Sequence, residues 1–114
     1  MSYDVWIGDK DFNYTRNISE LIYDHIPDMG HGGGLREIAG KTGKEAVPIL
    51  ADAFEQMNRT RHKMWVQDVV GEPAMCAKYD AKNGWGSMVG GILFLGQIMG
   101  ACAMFPDEIV NYSA

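Results

Sequence analysis

Asn83–Pro106 reads NGWGSMVGGILFLGQIMGACAMFP, and from Met88 to Phe105 it carries no charged residue. Gly84, Gly86, Gly90, Gly91, Gly96 and Gly100 lie in or just before that run. Nothing else in the chain is as hydrophobic, so the preceding residues are expected to cover it. A bilayer crossing needs roughly 18 to 20 apolar residues, which the run approaches. Against a span, it has no Lys or Arg anchor on its far side, carries Gln97 mid-run and ends at Pro106. Two other readings stand ahead of it. In one, the run is the central helix of a small domain, wrapped by several elements. In the other, it is shared with a second copy: Gly86 and Gly90, then Gly96 and Gly100, are four apart, and small residues at that spacing let helix backbones approach closely. Each helical glycine costs roughly 1 kcal/mol relative to alanine, so this many call for a reason of close contact. A symmetric homo-oligomer through Gly86, Gly90, Gly96 and Gly100 supplies one.

The ends of the chain fix the fold class. Ser2–Gly8 alternates, with Tyr3, Val5 and Ile7 to one side and Asp4 and Trp6 to the other, the pattern of a half-buried strand. Gly8-Asp9 is turn chemistry. Glu108–Ser113 alternates again and is expected to pair with the first strand. Asp11–Asn17 fits no single period and reads as an ordered loop running into a helix. That helix is expected to open at Asn17 as N-cap, with Glu20 three residues on and Ile18, Leu21, Ile22 and Ile26 at helical spacing. Pro27 ends it, and the glycine-rich Asp28–Gly34 is a loop. Leu35–Ala39 makes a short helical turn. Thr42-Gly43-Lys44-Glu45 is a capping box opening a helix to about Arg59. Ala46, Ile49, Leu50, Ala53, Phe54 and Met57 form its apolar stripe, while Lys44, Asp52, Glu55 and Arg59 form its charged one. Pro48 lies inside this helix and should bend it. Thr60–Lys82 decides nothing between helix and strand. Together these give an α+β domain, about three main helices packed on a small sheet of the N- and C-terminal strands, with the whole chain, 114 residues, as a single unit.

Composition excludes several classes. The net charge is −5, against general nucleic-acid binding, which needs cations to displace phosphate counterions. Cys76 and Cys102 make no disulfide framework, and Cys102 reads as a small buried hydrophobe. Asp4 and Asp9 interrupt any secretory leader, so a cytoplasmic setting is the expectation. Gly40-Lys41-Thr42 lacks the glycine that a P-loop places five residues earlier, where Leu35 stands, and reads as a helix start. His25, Asp28 and His31 match no standard metal-ligand spacing. No cofactor is expected.

Two polar and aromatic segments are the candidate site. The first holds Trp6, Asp9, Asp11, Asn13, Tyr14 and Asn17; the second, at the start of the long helix, holds Asn83 and Trp85. Such residues hydrogen-bond and stack a polar ligand or anchor a protein interface. The plainer account is that Asn13, Thr15 and Asn17 satisfy turn and cap backbone groups, and that Trp85 is a core residue after a turn. The case for a site strengthens if the two segments meet.

Tyr3-Asp4-Val5-x-Ile7-Gly8-Asp9 with Phe12-Asn13-Tyr14-Thr15-x-Asn17 resembles a family of small bacteriophage-encoded proteins. Gly40-Lys41-Thr42-Gly43-x-Glu45-Ala46 and Asn83-Gly84-Trp85-Gly86-Ser87 fit the same resemblance, which spans most of the chain. It implies a setting and no reaction: an accessory protein in the host cytoplasm, acting by binding and countering a host defence. The expected partner is a host protein or, alternatively, a small polar ligand such as a signalling nucleotide. A small hydrolase using Asp9, Asp11 or His25 as acid or base and a virion assembly protein are the other classes. No membrane partner is expected.

Overall fold

The computed structural model describes residues 2–69, 79–81 and 85–114. Along the chain run β1 (Ser2–Ile7), β2 (Lys10–Thr15), α1 (Ser19–His25), α2 (Gly43–Val69), α3 (Met88–Met104) and β3 (Asn111–Ser113). One-turn 3-10 helices occupy Arg16–Ile18 and Gly34–Glu37. The fold is α+β, and the expected pairing of the terminal strands is present: Asp4, Val5 and Trp6 stand opposite Ser113, Tyr112 and Asn111 in antiparallel register.

The sheet has one more strand than the sequence reading gave it. The stretch expected as a loop, Asp11–Asn17, instead supplies most of β2 (Lys10–Thr15), which pairs antiparallel with β1, and the strand order is β2-β1-β3. The hairpin turns on Gly8-Asp9, with Gly8 at φ +58°. A glycine at the first central position is the requirement of a type II′ turn, whose twist matches that of the flanking strands. The alternation of β2 is muted because Phe12 and Tyr14 on its inner side are only partly buried. Its outer side is Asp11 and Asn13, residues of low strand propensity, and register with β1 overrides that preference.

The first helix also begins differently. Asn17 does not cap α1: Thr15 caps the 3-10 turn Arg16–Ile18, its hydroxyl accepting from the Asn17 amide at 3.2 Å, and α1 itself follows Ile18 with no side-chain cap. The chain passes through a 3-10 turn before α1 starts at Ser19.

The capping box at Thr42 is present in both directions, with the Glu45 amide donating to Thr42 Oγ1 at 3.2 Å and the Thr42 amide to Glu45 Oε1 at 3.1 Å. The amides of Gly43 and Lys44 donate to the carbonyls of Glu108 and Pro106, and the Ala46 amide to Thr42. All four amides left open by helix geometry at α2's start are therefore taken within the chain, which is the structural reason that Gly40-Lys41-Thr42 is no phosphate cradle. From there α2 runs to Val69, ten residues past the expected end at Arg59. Ala46, Leu50, Ala53, Met57 and Met64 are buried along one stripe.

Helix α3 lies against both α2 and the sheet. Met88, Gly91, Ile92, Phe94, Leu95, Ile98, Ala101 and Cys102 are buried. It is not wrapped all round, however: Val89, Leu93 and Met104 remain 45%, 61% and 65% exposed. At 17 residues it is short of a membrane crossing, and no helix among the described residues is long and apolar enough to make one.

The glycines of this region are mostly used inside the chain. A Cβ at Gly86 would stand 2.5 Å from Thr15 Cγ2, and one at Gly96 3.0 Å from Phe54 Cε2. At Gly90 it would overlap the Tyr14 hydroxyl. At Gly91 it would lie 2.7 Å from Leu21 Cδ2. Three of the four glycines expected to face a second copy thus have a close neighbour in their own chain; Gly100 alone of that set has nothing within 4 Å.

Candidate functional site

Strand alternation divides the candidate residues between two places. In β1 and β2, Tyr3, Val5, Phe12 and Tyr14 point to the core, and Asp4, Trp6, Asp11 and Asn13 point away from it. Asp9 follows in the hairpin turn. Trp6, Asp9, Asp11 and Asn13 line one open concavity of about 700 Å³ on the outer side of the sheet, joined by Asp4, Lys10 and Ser113. Trp6 stands between Asp11 on β2 and Asn111 on β3, each its register partner. It is 41% exposed, a large ring left open on an otherwise polar face. Asn13 Nδ2 donates to Asp4 Oδ1 at 2.7 Å and to Ser2 Oγ at 2.9 Å. This orients the amide, so its Oδ1 acceptor remains available to a ligand. Asp4, Lys10 and Ser113 were not among the expected residues. Asp4 was within reach of the sequence argument, since it shares Trp6's side of an evident strand.

Tyr14 and Asn17 belong to the second place. The Ser87 amide donates to the Tyr14 hydroxyl at 3.0 Å, and Asn17 Nδ2 donates to the Trp85 carbonyl at 3.1 Å. The Tyr14 ring packs on Phe94, centroids 5.7 Å apart. The N-terminal polar segment and the start of α3 do meet. What joins them, though, is a set of bonds that fix backbone. Ser87 caps α3 by accepting from the Gly90 amide, and Asp80 accepts from the Met88 amide at 2.9 Å, a carboxylate at the positive end of a helix. Trp85 is 73% exposed rather than a core tryptophan. Asn83 lies outside the described residues.

The eight expected residues are therefore not one site. The outer sheet face holds four, the α3 start holds three, and the sheet separates them.

Several other titratable groups among the described residues are engaged internally. His25 is buried, with Nδ1 2.8 Å from the Leu21 carbonyl, Nε2 3.2 Å from Thr60 Oγ1, and its ring against Tyr79. It borders a separate cavity of about 260 Å³ with Met29, Pro48 and Ile49, apart from Asp9 and Asp11. Burial, then the hydrogen bond to Asp24 at 2.8 Å, pushes the Tyr79 hydroxyl up to about 12. Burial alone raises the Cys102 thiol to about 11, which makes it a poor nucleophile. In the glycine-rich loop, Asp28 Oδ1 accepts from the amides of Gly30 and Gly32, which hold its carboxyl below the ordinary value. Glu37 is buried and accepts from the amides of Gly33 at 2.8 Å and His31 at 3.1 Å. Burial works against its ionisation, yet these amides and that of Met29 prevail and lower its pKa. Among the described residues no group of three or more His, Cys, Asp or Glu could hold a metal ion.

Comparison with protein-family models, curated proteins and solved structures found no match to this chain.

Proposed function

We propose that this protein works by binding, without catalysis, and that it occupies a protein target with the outer face of its sheet. The observation that carries this reading is the concavity of about 700 Å³ around the open Trp6 ring, bordered by Asp4, Asp9, Asp11 and Asn13. Aromatic rings with oriented polar neighbours are the usual anchors of protein interfaces. The setting follows the resemblance to small phage proteins: the host cytoplasm, with a host defence component as the target. A nucleotide is the weaker occupant, because its phosphates would meet three carboxylates and only one ammonium, Lys10. The test is affinity capture from host lysate with wild-type protein, Trp6→Ala and Asn17→Ala. The expected result is a partner retained by wild type and Asn17→Ala and lost from Trp6→Ala. Retention by Trp6→Ala overturns the reading.

Self-association has its own support. Val89, Leu93, Gly100 and Met104, with the neutral Gln97 between them, make an exposed, uncharged and mostly apolar stripe along α3, and exposed apolar patches are commonly covered. We propose a homo-oligomer through this stripe, with Gly100 as the close-approach position in place of the full glycine set. Light scattering should give a multimer that Leu93→Glu dissociates; a monomeric wild type at micromolar concentration removes the proposal.

A further inference from the structure

We infer that the occupant of the outer sheet face is a basic, arginine-bearing segment of a protein, with a guanidinium stacked on Trp6 and forked onto Asp11. The inference rests on the binding reading above and gives its partner a chemistry.

Charge comes first. Asp4, Asp9 and Asp11 border the concavity against the single ammonium of Lys10, and the chain as a whole carries −5. A cleft of one sign on a molecule of the same sign draws in the opposite charge and repels its own. The carboxylates are also unspent: no Lys or Arg among the described residues pairs with Asp9 or Asp11, whereas on α2 Glu55 is taken by Arg59. Asp4 accepts one hydrogen bond, from Asn13, and keeps its second oxygen.

Geometry then selects the kind of cation. Trp6 and Asp11 are register partners on neighbouring strands, so their Cβ atoms stand about 5 Å apart on one face. A guanidinium is planar. It lies flat on an indole while its edge presents two parallel N–H groups to a carboxylate. An ammonium makes the charge contact without the fork or the stack. Asn13 Oδ1 and Ser113, on either side of Asp4 in the register, add acceptors for a donor-rich side chain. The cavity is open along the sheet instead of closing over its contents, which suits a segment of chain better than a small free cation.

The probe is a fluorescent peptide of alternating Arg and Gly, with Lys-Gly and Glu-Gly peptides of equal length, titrated by anisotropy against the full chain. The Arg peptide is expected to bind about fivefold or more tighter than the Lys peptide, with no binding of the Glu peptide. Affinity should fall about fivefold between roughly 50 and 300 mM salt. Asp11→Asn and Trp6→Ala should each weaken the Arg peptide by about tenfold. Both side chains point away from the core, and thermal unfolding of each variant checks that the fold is retained. Equal binding of Arg and Glu peptides, or an Asp11→Asn variant of unchanged affinity, overturns the inference. The lysate capture separates it from the broader reading. A partner lost from Trp6→Ala but kept by both Asp9→Asn and Asp11→Asn means that the face binds by other chemistry, and this inference alone falls. A partner kept by Trp6→Ala removes both.

Discussion

β2 carries Phe12 and Tyr14 on its inner side and Asp11 and Asn13 on its outer side, and the two sides use polar groups in opposite ways. On the inner side the Tyr14 hydroxyl is consumed by the Ser87 amide, and Gly86 and Gly90 leave the room in which Thr15 and that hydroxyl sit. On the outer side Asp11 has no cation among the described residues, and Trp6 stands open beside it. A polar group with its partner in the same chain holds the fold. One without such a partner is free to meet something else. The largest effect expected from this contrast is at Gly86. Its φ of +123° disfavours any side chain, and a Cβ would press on Thr15 at 2.5 Å and Ile18 at 3.2 Å. Gly86→Ala should destabilise the protein by about 3 kcal/mol, from backbone strain and overpacking together. Urea denaturation measures this; a loss below about 1 kcal/mol would mean that the α3 start yields easily and that the inner side is no tighter than the outer.

Tyr14 and Gly90 sharpen the same contrast with a pairwise test. Tyr14→Phe leaves the Ser87 amide without its acceptor and should cost about 1 kcal/mol. Gly90→Ala gains helix propensity but drives a methyl into the Tyr14 hydroxyl. The two changes should couple: Gly90→Ala is expected to cost about 1 kcal/mol less in the Tyr14→Phe background than alone. Strict additivity in a double-mutant cycle would show that hydroxyl and glycine do not share one space.

These two tests mark where the sequence could be read and where it could not. The half-buried strand Ser2–Ile7, the capping box at Thr42 and the terminal pairing were legible because each rests on local periodicity or a reciprocal cap. β2 was not, since its outer side is Asp and Asn and its inner aromatics are half-open; only its register with β1 makes it a strand. The α3 glycines pointed to close approach, and close approach is present. Spacing along a helix says that something comes near, and the neighbour here is Tyr14, Leu21 or Phe54 of the same chain. Among the candidate site residues, Trp6, Asp9, Asp11 and Asn13 share the outer face but stand in the sequence mixed with Tyr14 and Asn17, because a segment without a visible period gives no means of sorting one face from the other.

Carboxylates extend the contrast beyond the sheet. Buried Glu37 and exposed Asp28 both accept from backbone amides of the glycine-rich loop and hold lowered pKa values. A carboxyl whose folded pKa lies below its unfolded one adds stability that is present above the unfolded value and lost as pH falls through the folded one. The windows therefore open below the ordinary values of 4.5 for Glu37 and 3.8 for Asp28. Glu37→Gln keeps the shape and removes the charge. Its melting temperature should be lower than wild type near neutrality, and the gap should narrow as the solution is acidified below 4.5. Melting curves across that range decide it; a gap that stays constant would mean that the ionised form is not what holds the loop.

The smallest stability effect is expected at Asp11, and its smallness is the point. The side chain is exposed and pairs with no described cation, so Asp11→Asn should move unfolding free energy by no more than about 0.5 kcal/mol. The same substitution is expected to remove most of the affinity for an arginine-bearing segment. Stability unchanged with binding lost is the signature of a residue kept for a partner, and the reverse is the signature of Tyr14. If Asp11→Asn instead costs stability on the scale of Gly86→Ala, the outer face is held by the fold as the inner one is, and the carboxylate has a role inside the chain that competes with any ligand for it.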